Sequence, residues 1–246
     1  MTTRVASLSS VGVLATVGLA AMGLGTAGLG TGSPGIFDAT AVSVAGEAAV
    51  AVVAPDKAGW TVLTDAQSIA TWKSTPFGGE GEIERIDGGL RIGMGADLSG
   101  ITWEGAFPKQ SFEIALEARR VDGSDFFCGL TFPVGDAFCS LILGGWGGAV
   151  VGLSSIDGLD AAHNETTQFR DFQKDRWYAI NVRVTPAAIE CFIDGEAIIE
   201  QSLDGRKVSI REEVAPSKPL GISTYATTGE VRKIRWRPIA ADGTAR

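Results

Sequence analysis

The chain has 246 residues, of which 45% are hydrophobic, and a formal net charge of −8. This length suits one large β domain or at most two small ones, and the hydrophobic share excludes a wholly disordered chain. An acidic surface repels phosphate backbones, which argues against a nucleic-acid partner.

Residues 1–45 predict an export segment. Arg4 supplies a positive charge, and Val11–Met22 is an apolar run shorter than the ~20 residues that a membrane span needs. Ser43-Val44-Ala45, before Gly46, offers one A-x-A-like cleavage site. We therefore expect an exported protein (periplasmic, cell-surface or extracellular) with a linker at 46–58. A retained anchor, which would bring the chain to a membrane, and a plain disordered arm are the alternatives.

The chain beyond the linker alternates apolar and polar residues with a period of two, which is typical of half-buried antiparallel strands. Ser111–Arg120 and Trp177–Thr185 show the alternation most clearly. Asp194-Gly195 lies between two apolar runs and predicts a type I′ hairpin turn. Further strands are predicted at 60–63, 82–86, 90–94, 101–104, 125–132, 137–143, 149–153, 220–226 and 231–237.

These strands predict an all-β domain over residues 59–238, a sandwich or jelly roll, followed by a tail at 239–246. Short helical turns are expected near 65–70 and 208–213. No segment shows the 3.6-residue period of a long helix, which disfavours α/β folds and helical bundles. The lack of an internal repeat argues against a propeller.

Three cysteines are present, Cys128, Cys139 and Cys191. Cys128 and Cys139 fall on the two arms of a predicted hairpin, about two positions out of register, which disfavours a disulfide. We therefore expect three buried free thiols that pack as small hydrophobic groups.

The segment from Leu143 to Thr167 departs from strand alternation. Its Gly144-Gly145-Trp146-Gly147-Gly148 stretch sets one large aromatic among residues without side chains, which lets a ligand approach closely. Trp146 is therefore a candidate platform for the apolar face of a sugar ring. The alternative is a tryptophan that closes the end of the sandwich at a tight bend.

Polar side chains cluster after this stretch. Asp157, Asp160, Asn164 and Glu165 fall within nine residues and surround His163, the one histidine of the chain. Clustered oxygen ligands suit a divalent cation such as Ca²⁺, and they equally suit sugar hydroxyls. Loop residues of these types also form Asx turns or simply meet solvent.

No catalytic motif identifies a reaction. Glu113 and Glu117 share a strand face about 13 Å apart, which exceeds the spacing of a glycosidase carboxylate pair. Glu82 and Glu84 lie about 6.6 Å apart on one face, which falls within that spacing. The sequence contains no G-x-S-x-G, H-E-x-x-H, P-loop or dinucleotide fingerprint.

The order of motifs over residues 59–237 resembles the 3-keto-disaccharide hydrolase-like domain family, in the form typical of exported planctomycete proteins. The motifs are G-E-x-E-x-I-D-G-G-L at 81–90, S-F-E-I-A-L-E-A-R-R at 111–120, D-F-F-C-G-L-T-F-P-V-G-D at 125–136, GGWGG at 144–148, R-W-Y at 176–178, F-I-D-G at 192–195, P-L-G-I-S-T-Y-A-T at 219–227 and V-R-K-I-R-W at 231–236. One departure is F-C-G-L-T-F at 127–132, where the family commonly has N-S-G-I-x-x-R.

The resemblance implies a concanavalin A-like jelly roll that handles carbohydrate. It also implies cleavage of glycosides oxidised at C3, in which a base removes an acidified C–H and the aglycone is expelled. On this chain the implied catalytic residues are Asp157, His163 and Glu165. The implied substrate-binding residues are Trp146, Asp160 and Asn164, with a divalent cation as an optional cofactor.

Three functions remain open from the sequence. The first is an exported hydrolase or lyase of 3-keto-glycosides, and the second is a non-catalytic, lectin-like carbohydrate-binding module. The third is a surface module that recognises protein. An enzyme is expected to place two carboxylates, or a carboxylate and His163, in one pocket beside Trp146.

Overall fold

The computed structural model describes residues 58–244 of the chain. The strands of this part form two antiparallel sheets. The export segment predicted at 1–45 and nearly all of the linker predicted at 46–58 lie outside the described residues, as do the last two residues of the predicted tail. No helix between residues 58 and 244 is long and apolar enough to span a membrane.

The first sheet has eight strands in the order β13-β12-β11-β6-β15-β4-β3, with β1 paired to β15. Its strands in chain order are β1 (Thr61–Val62), β3 (Ile83–Ile86), β4 (Gly89–Ile92), β6 (Phe112–Gly123), β11 (Tyr178–Val184), β12 (Ala188–Ile193), β13 (Glu196–Ser202) and β15 (Thr227–Pro238).

The second sheet has seven strands in the order β10-β9-β8-β7-β14-β5-β2. Its strands are β2 (Trp72–Ser74), β5 (Leu98–Trp103), β7 (Cys128–Val134), β8 (Ala137–Gly145), β9 (Val150–Ser154), β10 (Gln168–Phe169) and β14 (Gly221–Tyr225). Two 3₁₀ turns, Ser68–Thr71 and Glu212–Ser217, complete the described structure, each close to a predicted helical turn.

The core lies between the two sheets and follows the predicted alternation. On β6, Ile114, Leu116 and Ala118 are buried in the core, and Ile180 and Val182 of β11 lie opposite them in register. Because successive side chains of a strand point to opposite faces, the remaining positions of each strand form the outer faces of the sandwich. The predicted all-β sandwich is confirmed.

The predicted hairpin at Asp194-Gly195 is also confirmed. It joins β12 to β13, and its two central residues have φ angles of 52° and 82°. A type I′ turn requires positive φ at both positions, which glycine adopts without a Cβ clash. Two strands that were not predicted, β2 and β10, are three and two residues long, too short to carry a readable period.

All three cysteines are buried and free, as predicted. Cys128 lies opposite Leu143, whereas Cys139 lies opposite Phe132. The two cysteines are therefore four positions apart in register, further than the two that the sequence suggested, because the turn at Gly135-Asp136 places Val134 opposite Ala137. This separation along the ladder rules out a direct bridge between them.

Candidate functional site

A groove of about 700 Å³ lies on the outer face of the seven-stranded sheet. Leu141 and Leu143 of β8 point into the core, so the alternating residues Ser140 and Ile142 point outward into the groove. Ser154 at the end of β9 lies opposite Ser140 in the ladder and also lines the groove.

The floor of the groove carries two serines, Ser140 and Ser154, beside the apolar Ile142. The hydroxyl groups of Thr131 and Ser140 are 2.8 Å apart and form a hydrogen bond on adjacent strands. The Ser154 Oγ is buried and has no hydrogen-bond partner among the described residues. Small side chains leave depth in the groove and present hydroxyl groups at its base.

Aromatic side chains form the walls. Trp146 is 44% exposed and Tyr225 is 39% exposed, although both are large and apolar. Phe126 stacks on Tyr225 with ring centroids 6.1 Å apart, and Phe77 completes the lining. Exposed aromatic faces around a groove are typical of a ligand site, because folding alone would bury them.

The loop that carries Trp146 adopts an uncommon backbone. Gly144, Trp146, Gly147 and Gly148 have φ angles of 75°, 49°, 87° and 110°. Glycine tolerates this region freely, whereas a bulky residue such as tryptophan enters it only when the surroundings hold it there. The flanking glycines therefore allow a turn that presents Trp146 outward.

Asp125 holds this loop from one side. One of its carboxylate oxygens accepts a hydrogen bond from the Gly147 N–H at 2.9 Å, and the other accepts one from the Phe126 N–H at 2.8 Å. Both oxygens are thereby engaged with the backbone of the two groove-lining aromatic segments. Asp125 fixes Trp146 and Phe126 relative to each other.

Arg120 of β6 holds the loop from below. Its Nη2 donates to the carbonyl oxygens of Asp125, Gly144 and Gly148 at 3.0, 3.3 and 3.1 Å. Burial lowers the pKa of this guanidinium below its usual value, and the charge of Asp125 opposes that shift. A Cβ at position 144 would lie 2.5 Å from Nη2, so Arg120 would have to shift, and the φ of 75° would strain any other residue there.

Three carboxylates and one guanidinium line the groove, those of Asp97, Asp125, Glu213 and Arg211. Arg211 pairs with Glu213 at 2.6 Å and with Asp160 at 3.3 Å. The hydrogen bond from Arg211 holds the pKa of Glu213 below its usual value. The Asp97 carboxylate forms no hydrogen bond or ion pair with any described residue.

Asp157 and Glu165, two of the predicted catalytic residues, share one cation. Arg206 binds Asp157 at 2.7 Å and also binds Glu165. Asp157 further accepts a hydrogen bond from the Lys207 N–H, which is the main reason that its pKa is lowered, with Arg206 second. The structure therefore brings these two carboxylates together, but both are paired with Arg206.

The other predicted residues of this segment lie on the same loop. His163 Nδ1 is 2.7 Å from Asp160 Oδ1. The Asn164 amide donates to three backbone carbonyls of the loop, and its oxygen accepts two bonds from Thr166. Asn164 therefore stabilises the loop through its hydrogen bonds to the backbone and to Thr166.

Of the six predicted site residues, only Trp146 is among those that line the groove, and Asp160 contacts the groove through Arg211. Sequence reasoning did not select the other groove residues. Phe126 and Asp125 lie in the D-F-F-C-G motif and Tyr225 in the P-L-G-I-S-T-Y motif, but their proximity depends on the order of strands in the sheet. Among residues 58–244, no group of three or more His, Cys, Asp or Glu side chains is arranged to hold a metal ion.

Among known proteins, solved structures match this chain, whereas family models and curated proteins do not. No family model matches the chain, and no curated protein matches it. The resemblance to the 3-keto-disaccharide hydrolase-like family therefore stays a prediction.

Solved structures share the architecture at low sequence identity. Crh5 transglycosylase in complex with NAG matches with a TM-score of 0.51 and 12% identity over 74% of this chain and 84% of that one. A Bacillus subtilis protein of unknown function with a galectin-like fold matches with a TM-score of 0.51 and 11% identity, over 73% of this chain and 94% of that one. The chain is a sandwich of this concanavalin-like, galectin-like class.

The carbohydrate-binding module CBM66 from Bacillus subtilis matches with a lower TM-score of 0.45 and 11% identity, over 68% of this chain and 95% of that one.

Proposed function

We propose that the protein binds carbohydrate in the groove between Trp146 and Tyr225. The observation that carries the proposal is the pair of exposed aromatic faces above a floor of serine hydroxyls. A sugar ring has one apolar C–H face and a rim of hydroxyls, so it needs both an aromatic platform and hydrogen-bonding groups.

The size and polarity of the groove support this proposal. Its volume of about 700 Å³ lies within the range of about 300–1,000 Å³ typical of small-ligand sites. The unpartnered Ser154 Oγ and the free Asp97 carboxylate leave hydrogen-bonding capacity for ligand hydroxyls. Arg120 and Asp125 hold the platform in place before a ligand arrives, which limits the entropy lost on binding.

The shared fold supports the proposal in a more general way. The transglycosylase with the same architecture is described with NAG bound, and its TM-score is 0.51. Export is part of the proposal, because residues 1–45 predict it. Fractionation of the producing cells tests it, and full-length protein that stays in the cytoplasm would contradict it.

Titration calorimetry of the full chain against a panel of oligosaccharides tests the groove. We expect Trp146→Ala to weaken binding of any positive oligosaccharide by about 2 kcal/mol, since a central aromatic commonly supplies that much. Phe169→Ala is the matched control, because Phe169 is 79% exposed but lies outside the groove. Equal affinity of wild type and Trp146→Ala would remove this groove as the site, and no binding of any glycan would end the proposal.

Hydrolysis of 3-keto-glycosides is the second candidate function. One base takes the C2 proton, the C1–C2 double bond forms as the C1–O bond breaks, and the departing aglycone oxygen takes a proton from water. Water then adds across the double bond, with its oxygen at C1 and a proton returned to C2, which completes the hydrolysis. Asp97 is a groove carboxylate without a partner, whereas Asp157 and Glu165 are held by Arg206. The wild-type protein, incubated with 3-keto-glucosides and separately with their unoxidised parents, should release aglycone from the keto form alone. Release by Asp97→Asn at the wild-type rate would exclude Asp97 as the base.

A further inference from the structure

We infer that the preferred ligand of this groove is a glycan with protonated amino groups, of the kind found in glucosamine oligomers. The inference rests on the proposed carbohydrate-binding function and adds the charge class of the ligand.

The groove is negative. Three carboxylates, from Asp97, Asp125 and Glu213, face one guanidinium from Arg211, so the lining carries a net charge of −2. Arg211 is also paired with Asp160 outside the lining. A cationic ligand is therefore attracted to the groove, and an anionic one is repelled.

Asp97 is the carboxylate best placed to receive a ligand cation. Both oxygens of Asp125 accept backbone N–H groups, and Glu213 is held by Arg211. Asp97 is exposed, and no described residue pairs with its carboxylate. Its carbonyl oxygen accepts the N–H of Ala226 at 3.2 Å, which places Asp97 beside Tyr225 at the groove wall.

The aromatic faces of the groove are free of the protein's own cations. On the opposite sheet, Trp177 lies under Arg119 and Arg232, with guanidinium carbons 4.6 and 4.1 Å from the ring centroid. No described arginine or lysine lies over the ring of Trp146 or Tyr225. The negative face of an aromatic ring attracts cations, so these two rings and the Asp97 carboxylate give the groove lining three groups that attract an ammonium group.

Calorimetry of the full chain at low salt tests this inference with three oligomers of equal length. They are a glucosamine oligomer, its N-acetylated form and a glucose oligomer. We expect the glucosamine oligomer to bind about tenfold more tightly than the other two, because an exposed ion pair and a cation–π contact together supply about that factor. The preference should shrink at high salt, where exposed charges are screened.

Two variants separate a local site from general attraction to an acidic protein. Asp97→Asn should lose the preference for the amine, because its side-chain amide can still bond a sugar hydroxyl but carries no charge. Asp87→Asn removes the same charge from an exposed turn between β3 and β4 on the other sheet, and it should keep the preference.

The affinities for the three oligomers separate the amine preference from carbohydrate binding itself. Equal affinity for all three oligomers at low salt would overturn the amine preference and leave carbohydrate binding standing. A preference that both variants keep, or that both lose, would overturn the role of Asp97. Failure of all three oligomers to bind would count against the proposed function itself.

Discussion

At the scale of single residues, Trp146 shows how a local sequence feature depends on distant support. The four glycines around it permit the turn, but they do not hold it. Arg120, which lies on the other sheet, and Asp125 supply the hydrogen bonds that do. The exposed tryptophan is therefore positioned by a buried cation beneath it.

We predict that Arg120→Lys loosens this loop. All three carbonyls are bound by the one atom Nη2. A lysine side chain is one atom shorter, so its ammonium stops short of that position, and a buried carbonyl left without a donor costs about 1–3 kcal/mol. Hydrogen exchange of residues 144–149 should become faster, and the affinity for a positive glycan should fall. Arg119→Lys, one position away on the outer face of β6, is the control. Unchanged hydrogen exchange of this loop in Arg120→Lys would show that Arg120 does not stabilise it.

At the scale of elements, the outer face of the eight-stranded sheet carries three carboxylates that each meet two cations, and those of Glu113 and Glu230 are buried. Glu113, on β6, accepts from Arg183 and Arg237 of the strands on either side, and also from Asn181. Glu117 is bound by Arg232 and Lys233, and Glu230 by Arg91 and Arg119. These ion pairs join strands that are remote in the sequence.

Glu113 should make the stability of this sheet depend on pH. Burial alone would raise its pKa, but the hydrogen bonds from Asn181 and Arg237 and the charges of Arg183 and Arg237 outweigh burial and hold the pKa below the usual 4.5. A carboxyl with a lowered folded pKa stabilises the fold above its unfolded pKa, and that contribution is lost as the pH falls through the folded pKa.

Denaturant unfolding at pH 7 and at pH 3 measures this effect. Glu113→Gln should cost about 2 kcal/mol at pH 7, the size of a hydrogen bond to a charged group, and should lose less stability than wild type on acidification. Glu190→Gln is the control, because its pair with Arg183 is long at 4.0 Å. An equal acid response of wild type and Glu113→Gln would contradict this role.

At the scale of the whole molecule, the two sheets enclose all three thiols. Burial raises the pKa of Cys128 and of Cys139 to about 12, and it raises that of Cys191 as well, with the charges of Cys139 and Glu190 adding to the shift. A thiol reacts as its thiolate. These cysteines are therefore protected from reaction in two ways, because reagents cannot reach them and because they stay protonated.

We predict that iodoacetamide at pH 8 leaves the native protein unmodified and labels three cysteines after unfolding. Any slow labelling of the native protein over longer times should follow opening of the sandwich, because all three thiols are buried in the core between the sheets. Ser74→Cys, at an exposed position of β2, should react at once and serves as the control. Rapid labelling of a wild-type cysteine would show that the core opens locally.

Much of the fold follows from the sequence, because a period of two can be read along one strand without knowing its neighbours. The faces of β6 and β11 and the turn at Asp194-Gly195 were predicted on this basis and are confirmed. The strands β2 and β10 and the true offset of Cys128 from Cys139 were missed, since they depend on pairing and turn length.

The candidate site, too, was predicted only in part from the sequence. The sequence by itself determined an all-β sandwich and singled out Trp146, because a tryptophan among glycines is a local anomaly. Only the tertiary structure placed Phe126, Tyr225 and Asp97 beside it, as β14 lies between β7 and β5 in the sheet. It also paired Asp157 and Glu165 with Arg206, more than forty positions away from either carboxylate. Strand order and long-range ion pairs result from packing of the whole chain, and no stretch of sequence carries them alone.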